Sequence, residues 1–186
     1  MDSKLQIISG MYRGRKLRLP KNARPTQNRA RIALFNMLDS GILDKDNLNN
    51  VWDVFAGSGA FGLECLSRYP DAHVLFTDVS PESIKTVRDN LASLQVGARA
   101  RVVQTDAVHA VNDFAKQMDL MFVDAPYDCA ELGRAVVARV GKTGLKDTVL
   151  IWEQEATNVV EPNTDIWDVL RDKTYGRARF FILRKK

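Results

Sequence analysis

Between residues 50 and 152 the chain repeats one pattern: a short apolar run, a turn carrying glycine or aspartate, then apolar positions spaced by three and four. The runs Val51–Phe55, His73–Thr77, Ala100–Gln104, Leu120–Val123 and Thr148–Trp152 predict buried strands. A strand covered on both faces reads as a near-continuous apolar run. The segments between them predict helices, one from the glycine-rich turn through Leu66, others near Val108–Gln117 and Glu131–Val140. Ser80-Pro81 supplies an N-cap and a first-turn proline for a further helix, whose buried stripe is Ile84, Val87, Leu91 and Leu94. Strands alternating with helices predict a parallel sheet wrapped on both faces.

Both ends depart from that pattern. Residues 6–20 hold short β-like runs around Gly10 and Gly14 and close on Pro20, which predicts a small basic strand-and-turn unit. Pro25-Thr26 then predicts a helix start with Thr26 as N-cap, a stripe of Ala30, Ala33, Leu34, Met37 and Leu38, and an end near Gly41. At the other end, Ile166–Thr174 and Arg179–Arg184 flank Tyr175-Gly176-Arg177-Ala178 and predict an antiparallel hairpin. The expected fold is α/β: a doubly wound, seven-stranded Rossmann-like sheet over residues 41–186, completed by the C-terminal hairpin, with a small basic extension over 1–40.

At 186 residues the chain is sized for one such domain and one site. No apolar run approaches the roughly 20 residues of a membrane span. Two cysteines, Cys65 and Cys129, and an N-terminus without a long apolar stretch point to a reducing cytoplasm. Net charge is +4, but residues 1–31 carry nine Lys/Arg against one acid and residues 171–186 carry seven against one. The middle is acidic. Basic ends suggest a polyanionic partner, since Lys/Arg clusters neutralise phosphates and release counterions. Arg13, Arg15, Lys16, Arg18, Arg24 and Arg29 are the candidate RNA contacts.

Chemistry concentrates at the strand ends. Asp53-Val54-Phe55-Ala56-Gly57-Ser58-Gly59-Ala60-Phe61-Gly62 runs from a strand through G-x-G-x-x-G into a helix. Glycines at 57 and 59 let the backbone approach a ligand, and Gly62 permits close helix–strand packing. Asp53 places a carboxylate where a pyrophosphate would be repelled, which suits an ammonium instead and speaks against an NAD enzyme. Asp78, at the end of the second strand, suits ribose hydroxyls. Asp106, after the third, suits an adenine amino group or serves as a helix cap. The candidate cofactor set is Asp53, Phe55, Ala56, Gly57, Ser58, Gly59, Asp78, Asp106, Ala107 and Asp124.

Asp124-Ala125-Pro126-Tyr127, after the fourth strand, is the candidate catalytic motif. An exocyclic base amine is a poor nucleophile because its lone pair is delocalised. The Asp124 carboxylate and the Ala125 carbonyl would accept its hydrogen bonds and hold that lone pair toward a methyl donor. Pro126 stiffens the turn, and Tyr127 offers a ring for an extruded base to stack on. His73 and His109 lack companions at metal-ligand spacing, so no metal is expected. The two cysteines read as ordinary residues, and Trp52, Trp152 and Trp167 as packing.

Taken together, Ile8–Leu17, Arg24–Arg31, Leu34-Phe35-Asn36, Asp53–Gly62, Asp78, Asp106 and Asp124–Tyr127 resemble the bacterial 16S ribosomal RNA guanine-N2 methyltransferase family, the RsmD type. The resemblance spans nearly the whole chain, and its two N-terminal motifs are the more specific. It implies S-adenosylmethionine as cofactor, held by Asp53, Gly57, Gly59, Asp78 and Asp106, with Asp124 on the target amine and 16S rRNA or the small ribosomal subunit as partner. The family usually has proline where Ala125 stands, which puts the rigidity of that turn in doubt. A DNA adenine-N6 or cytosine-N4 methyltransferase shares the last motif but calls for a separate target-recognition domain. A non-catalytic ribosome assembly factor would not need Asp124 and Tyr127.

Overall fold

The structure, a computed structural model, describes residues 5–21 and 28–186. Its strands are β1 (Asn50–Asp53), β2 (His73–Asp78), β3 (Ala100–Gln104), β4 (Leu120–Val123), β5 (Val149–Glu155), β6 (Trp167–Tyr175) and β7 (Ala178–Lys185). Helices are α1 (Asn28–Met37), α2 (Ala60–Arg68), α3 (Pro81–Leu94), α4 (Ala107–Phe114) and α5 (Ala130–Thr143). The strands form one seven-stranded sheet in the order β3-β2-β1-β4-β5-β7-β6. The first five are parallel, and β7 runs antiparallel to both β5 and β6. The expected α/β sheet and terminal hairpin are therefore present.

Successive side chains of a strand point to opposite faces, and this divides the core in two. Val51, Phe76, Leu120, Phe122, Ile151 and Ile182 pack with α1, α2, α3 and the N-terminal Leu5, Ile7 and Leu17. Trp52, Leu75, Met121, Leu150, Trp152 and Phe181 pack with α4 and α5 on the other face, and Trp167 joins them. All three tryptophans are core. A stack of Phe35, Phe61 and Phe122, with centroids 5.3 and 4.3 Å apart, links α1 through α2 to β4.

Several boundaries differ from the sequence reading. β1 stops at Asp53, and Val54 and Phe55 already belong to the turn. β5 runs on to Glu155 because β7 supplies partners through Glu155↔Ala178, a long-range pairing that local apolarity does not reveal. The hairpin turn tightens to Gly176-Arg177 for the same reason. The N-terminal unit keeps one antiparallel bridge, Gln6↔Lys16. It is held from outside: Glu64, fully buried in α2, accepts from the Ile8 and Ser9 amides and pairs with Arg68. At Gly10, φ is +83° and a Cβ would stand 2.0 Å from the Ser67 carbonyl oxygen, so only glycine fits. Thr26, the expected N-cap, and Arg24 lie outside the described residues. α1 gives way to a turn over Leu38–Ile42 with Gly41 at φ +95°.

Candidate active site

The strand order reverses between β1 and β4, and the loops leaving their carboxyl ends diverge to opposite faces. A crevice opens there by topology alone. Asp53 closes β1 at its lip, and its Oδ2 accepts from the Gly62 amide at 3.0 Å. Burial pushes the Asp53 carboxyl up to about 8 against that hydrogen bond, with the charges of Asp124 and Asp78 adding to the rise. Gly57 and Gly59 adopt φ of +54° and +78°. A Cβ at Gly57 would meet nothing within 4 Å, so the backbone there faces open space. At Gly62 a Cβ would stand 2.3 Å from the Phe76 ring and 2.8 Å from Val74, which explains this glycine by helix–strand contact.

Asp78 ties the glycine turn to the start of α3. Its Oδ2 accepts from the Gly57 amide at 2.9 Å and its Oδ1 from the Ser80 amide at 2.8 Å. A carboxylate offers about four acceptor sites, so capacity remains for a ligand. Asp106 caps α4 by accepting from the His109 amide at 3.0 Å, and it also walls the cleft. That cleft is lined by Phe55, Asp78, Val79, Thr105, Asp106, Ala107 and Leu132, among others. Apolar walls with acids at the ends fit a purine nucleoside. Val79, 69% exposed, is an apolar side chain open for such a ring to cover. Leu132, contributed by α5, was invisible in the sequence because only the helix packing brings it to the cleft.

On the other side of the switch point β4 leads directly into Asp124. This residue is partly open to solvent, yet desolvation pushes its carboxyl up to about 7. Among the described residues, no donor reaches its carboxylate or the Ala125 carbonyl. Ala125 is buried, and its Cβ lies 3.2 Å from where a Cβ on Gly133 would stand. α5 thus presses on the turn through Gly133, restraint that does not depend on a proline at 125. Pro126 holds φ at −51°, and its carbonyl accepts from the Cys129 amide at 2.8 Å.

Glu153 is the residue that sequence reasoning missed. The register pairs Val123 with Trp152, so Asp124 and Glu153 follow at neighbouring positions on one face. The Tyr127 hydroxyl donates to Glu153 Oε1 at 3.3 Å. Burial, and then the Asp124 charge, push the Glu153 carboxyl well above its ordinary range, while the Tyr127 hydrogen bond opposes them. Its only sequence signal is an acid directly after the apolar run Val149–Trp152, where the strand had been taken to end.

The basic candidates among the described residues are spread along one flank. Arg15 donates to the Ser93 carbonyl at the end of α3, Arg18 pairs with Asp89, and the Lys21 amide reaches Glu82 in the first turn of α3. Residues 82 and 93 are separated by about 16 Å of helix. Arg13, Lys16 and Arg29 are exposed. Arg13 lies in the turn held by Ser67 at the end of α2, away from Asp124. The structure therefore gathers the cofactor and catalytic candidates at one end of the sheet and leaves Arg13 and Arg15 toward the other.

Residues 5–184 match the family model described as conserved hypothetical protein 95. The chain is 35% identical over 191 residues to the ribosomal RNA small subunit methyltransferase D of Escherichia coli, covering all of this chain and 92% of that protein. The protein of the same name from Haemophilus influenzae is 30% identical over 181 residues, covering 92% of this chain and 89% of the relative. The solved structure of the Escherichia coli yhhF protein superposes with a TM-score of 0.82 at 31% identity, over 98% of both chains.

Proposed function

Because the chain belongs to the conserved hypothetical protein 95 family, that of the ribosomal RNA small subunit methyltransferase D proteins, we propose that it transfers a methyl group from S-adenosylmethionine to the N2 amine of a guanine in 16S rRNA. It is a methyltransferase of ribosomal RNA. Among the described residues, no helix is long and apolar enough to cross a membrane and no group of side chains is set to hold a metal ion. A substrate in the small ribosomal subunit or its assembly intermediate supports a cytoplasmic place of work.

One observation carries the reading: Asp124 and the Ala125 carbonyl stand with unused acceptor capacity at the switch point, one strand from the Gly57–Gly59 turn. The chain's own residues divide the work. Asp53 would meet the ammonium of the cofactor, Asp78 the ribose hydroxyls, and Asp106 with Ala107 and Phe55 the adenine, with Ala56 and Ser58 contributing backbone. The cofactor supplies a sulfonium methyl, an electrophile that needs no metal. Asp124 and Ala125 accept the two N–H bonds of the amine, so its lone pair is aimed and the proton released on transfer has an acceptor at hand. Tyr127 stacks the extruded base.

For the partner, we assign RNA contact to the extension over residues 1–40, through Arg13, Arg15, Lys16, Arg18, Arg24 and Arg29. The spread of Arg13, Arg15, Lys16, Arg18 and Arg29 along one flank suits a large folded substrate such as a ribosomal particle better than a short strand. The test is methylation of small-subunit particles from a deletion strain, with nucleoside products resolved by mass spectrometry. N2-methylguanosine is expected; N6-methyladenosine, or no methylated nucleoside, would overturn the assignment.

A further inference from the structure

Tyr127 lies on a single 3-10 turn, Tyr127–Cys129, its side chain is half-buried, and its hydroxyl is held. The holder comes from the neighbouring strand. Glu153 is buried, belongs to the last turns of the β5–β7 ladder, and takes the Tyr127 hydroxyl hydrogen bond at 3.3 Å. Glu155, two residues on, shares that face of β5 and pairs with Arg177 of the hairpin turn. The Arg177 guanidinium stands over the Tyr127 ring, 5.9 Å from its centroid. Thus β5 reaches the ring twice, once at its hydroxyl and once at its face. Among the described residues the Glu153 carboxylate makes no other hydrogen bond, so holding the phenol is the contact its burial is arranged around.

We propose that Glu153 is a positioning residue for methyl transfer: by accepting the Tyr127 hydroxyl hydrogen bond it fixes the plane on which the target guanine stacks beside Asp124. The inference rests on the guanine-N2 reading above. Glu153 does not touch the reacting atoms. Its neighbour Asp124 does, and a ring rotated away from Glu153 would present the amine to Asp124 at the wrong angle, which costs rate rather than cofactor affinity.

The experiment is a double-mutant cycle in single-turnover methylation of undermodified small-subunit particles, with cofactor titration and thermal midpoint measured on every variant. Tyr127→Phe and Glu153→Leu should each slow transfer by roughly tenfold or more, the scale of leaving one partner of a buried hydrogen bond unsatisfied. The double variant should be no slower than the worse single one, because both remove the same contact. Glu153→Gln keeps an acceptor oxygen and should recover most of the rate. Cofactor affinity should stay within about twofold throughout, taking the twofold band as additivity error. If Glu153→Leu does not fold, Tyr127→Phe and Glu153→Gln still decide. Full-rate Tyr127→Phe, strictly additive losses, or Glu153→Gln as slow as Glu153→Leu would each overturn the role. Failure of the parent reading looks different: wild-type protein would then yield no N2-methylguanosine at all.

Discussion

Asp53, Asp78 and Asp106 each accept a hydrogen bond from a backbone amide, whereas Asp124 and Glu153, across the switch point, accept none from the backbone of the described residues. The difference follows from position. The first three sit where a strand feeds a loop and then a helix N-terminus, and such turns present amide groups that need acceptors. Asp124 leaves β4 into a turn where Pro126 has no amide hydrogen to donate and Ala125 is pressed against Gly133, and no α-helix N-terminus follows directly to present amides to it. One half of the crevice is a cradle braced by its own hydrogen bonds. The other half keeps its acceptors for the substrate, at the cost of desolvated carboxylates.

Asp124→Asn should break this contrast most severely. Replacing the anionic acceptor by an amide that presents a donor to the NH2 should cost about 100- to 1,000-fold in rate. Cofactor affinity should fall much less, and calorimetry beside a transfer assay separates the two. The opposite signature is expected on the braced side. Asp53→Asn keeps an acceptor for the Gly62 amide, so the fold should survive, while loss of the ammonium partner should weaken cofactor binding by roughly 10- to 100-fold. A variant that loses rate at saturating cofactor instead would move Asp53 out of the cradle.

The pH dependence should report the same asymmetry. With Asp124 raised to about 7 beside Asp53, Tyr127 and Glu153, its carboxylate fraction, and the rate with it, should fall about tenfold per unit below that value. Stability of the ligand-free protein runs the other way. Asp53 and Asp124 titrate near 8 and 7 when folded and near 3.8 when unfolded, so between those limits the folded state holds more protons. Stability should therefore decline as pH rises from about 4 to about 8. Thermal midpoints across that range check it, and Asp53→Asn should flatten the decline.

The smallest effect on chemistry should come from the remote flank. Replacing Arg13, Arg15 and Lys16 together should flatten the dependence of log K on log salt by about two to three units if each meets a phosphate. The rate at saturating particle should not change. An unaltered slope would mean that these charges face solvent in the complex.

Much of this was legible along the chain. Apolar runs and helix stripes located the α/β units, Ser80-Pro81 opened α3 as expected with Ser80 accepting from Ser83, and Asp53, Asp78, Asp106 and Asp124 stood out because each stands at or near the end of an apolar strand run. These are local signals, set by which residues a strand or a helix start tolerates. What the chain alone could not reveal depends on strand pairing. The extension of β5 to Glu155 exists because β7 folds back beside it. That pairing carries Glu153 to the Tyr127 hydroxyl and Glu155 to Arg177, while helix packing brings Leu132 to the cleft and Gly133 against Ala125. Such contacts are fixed by register and packing, and only the assembled sheet decides them.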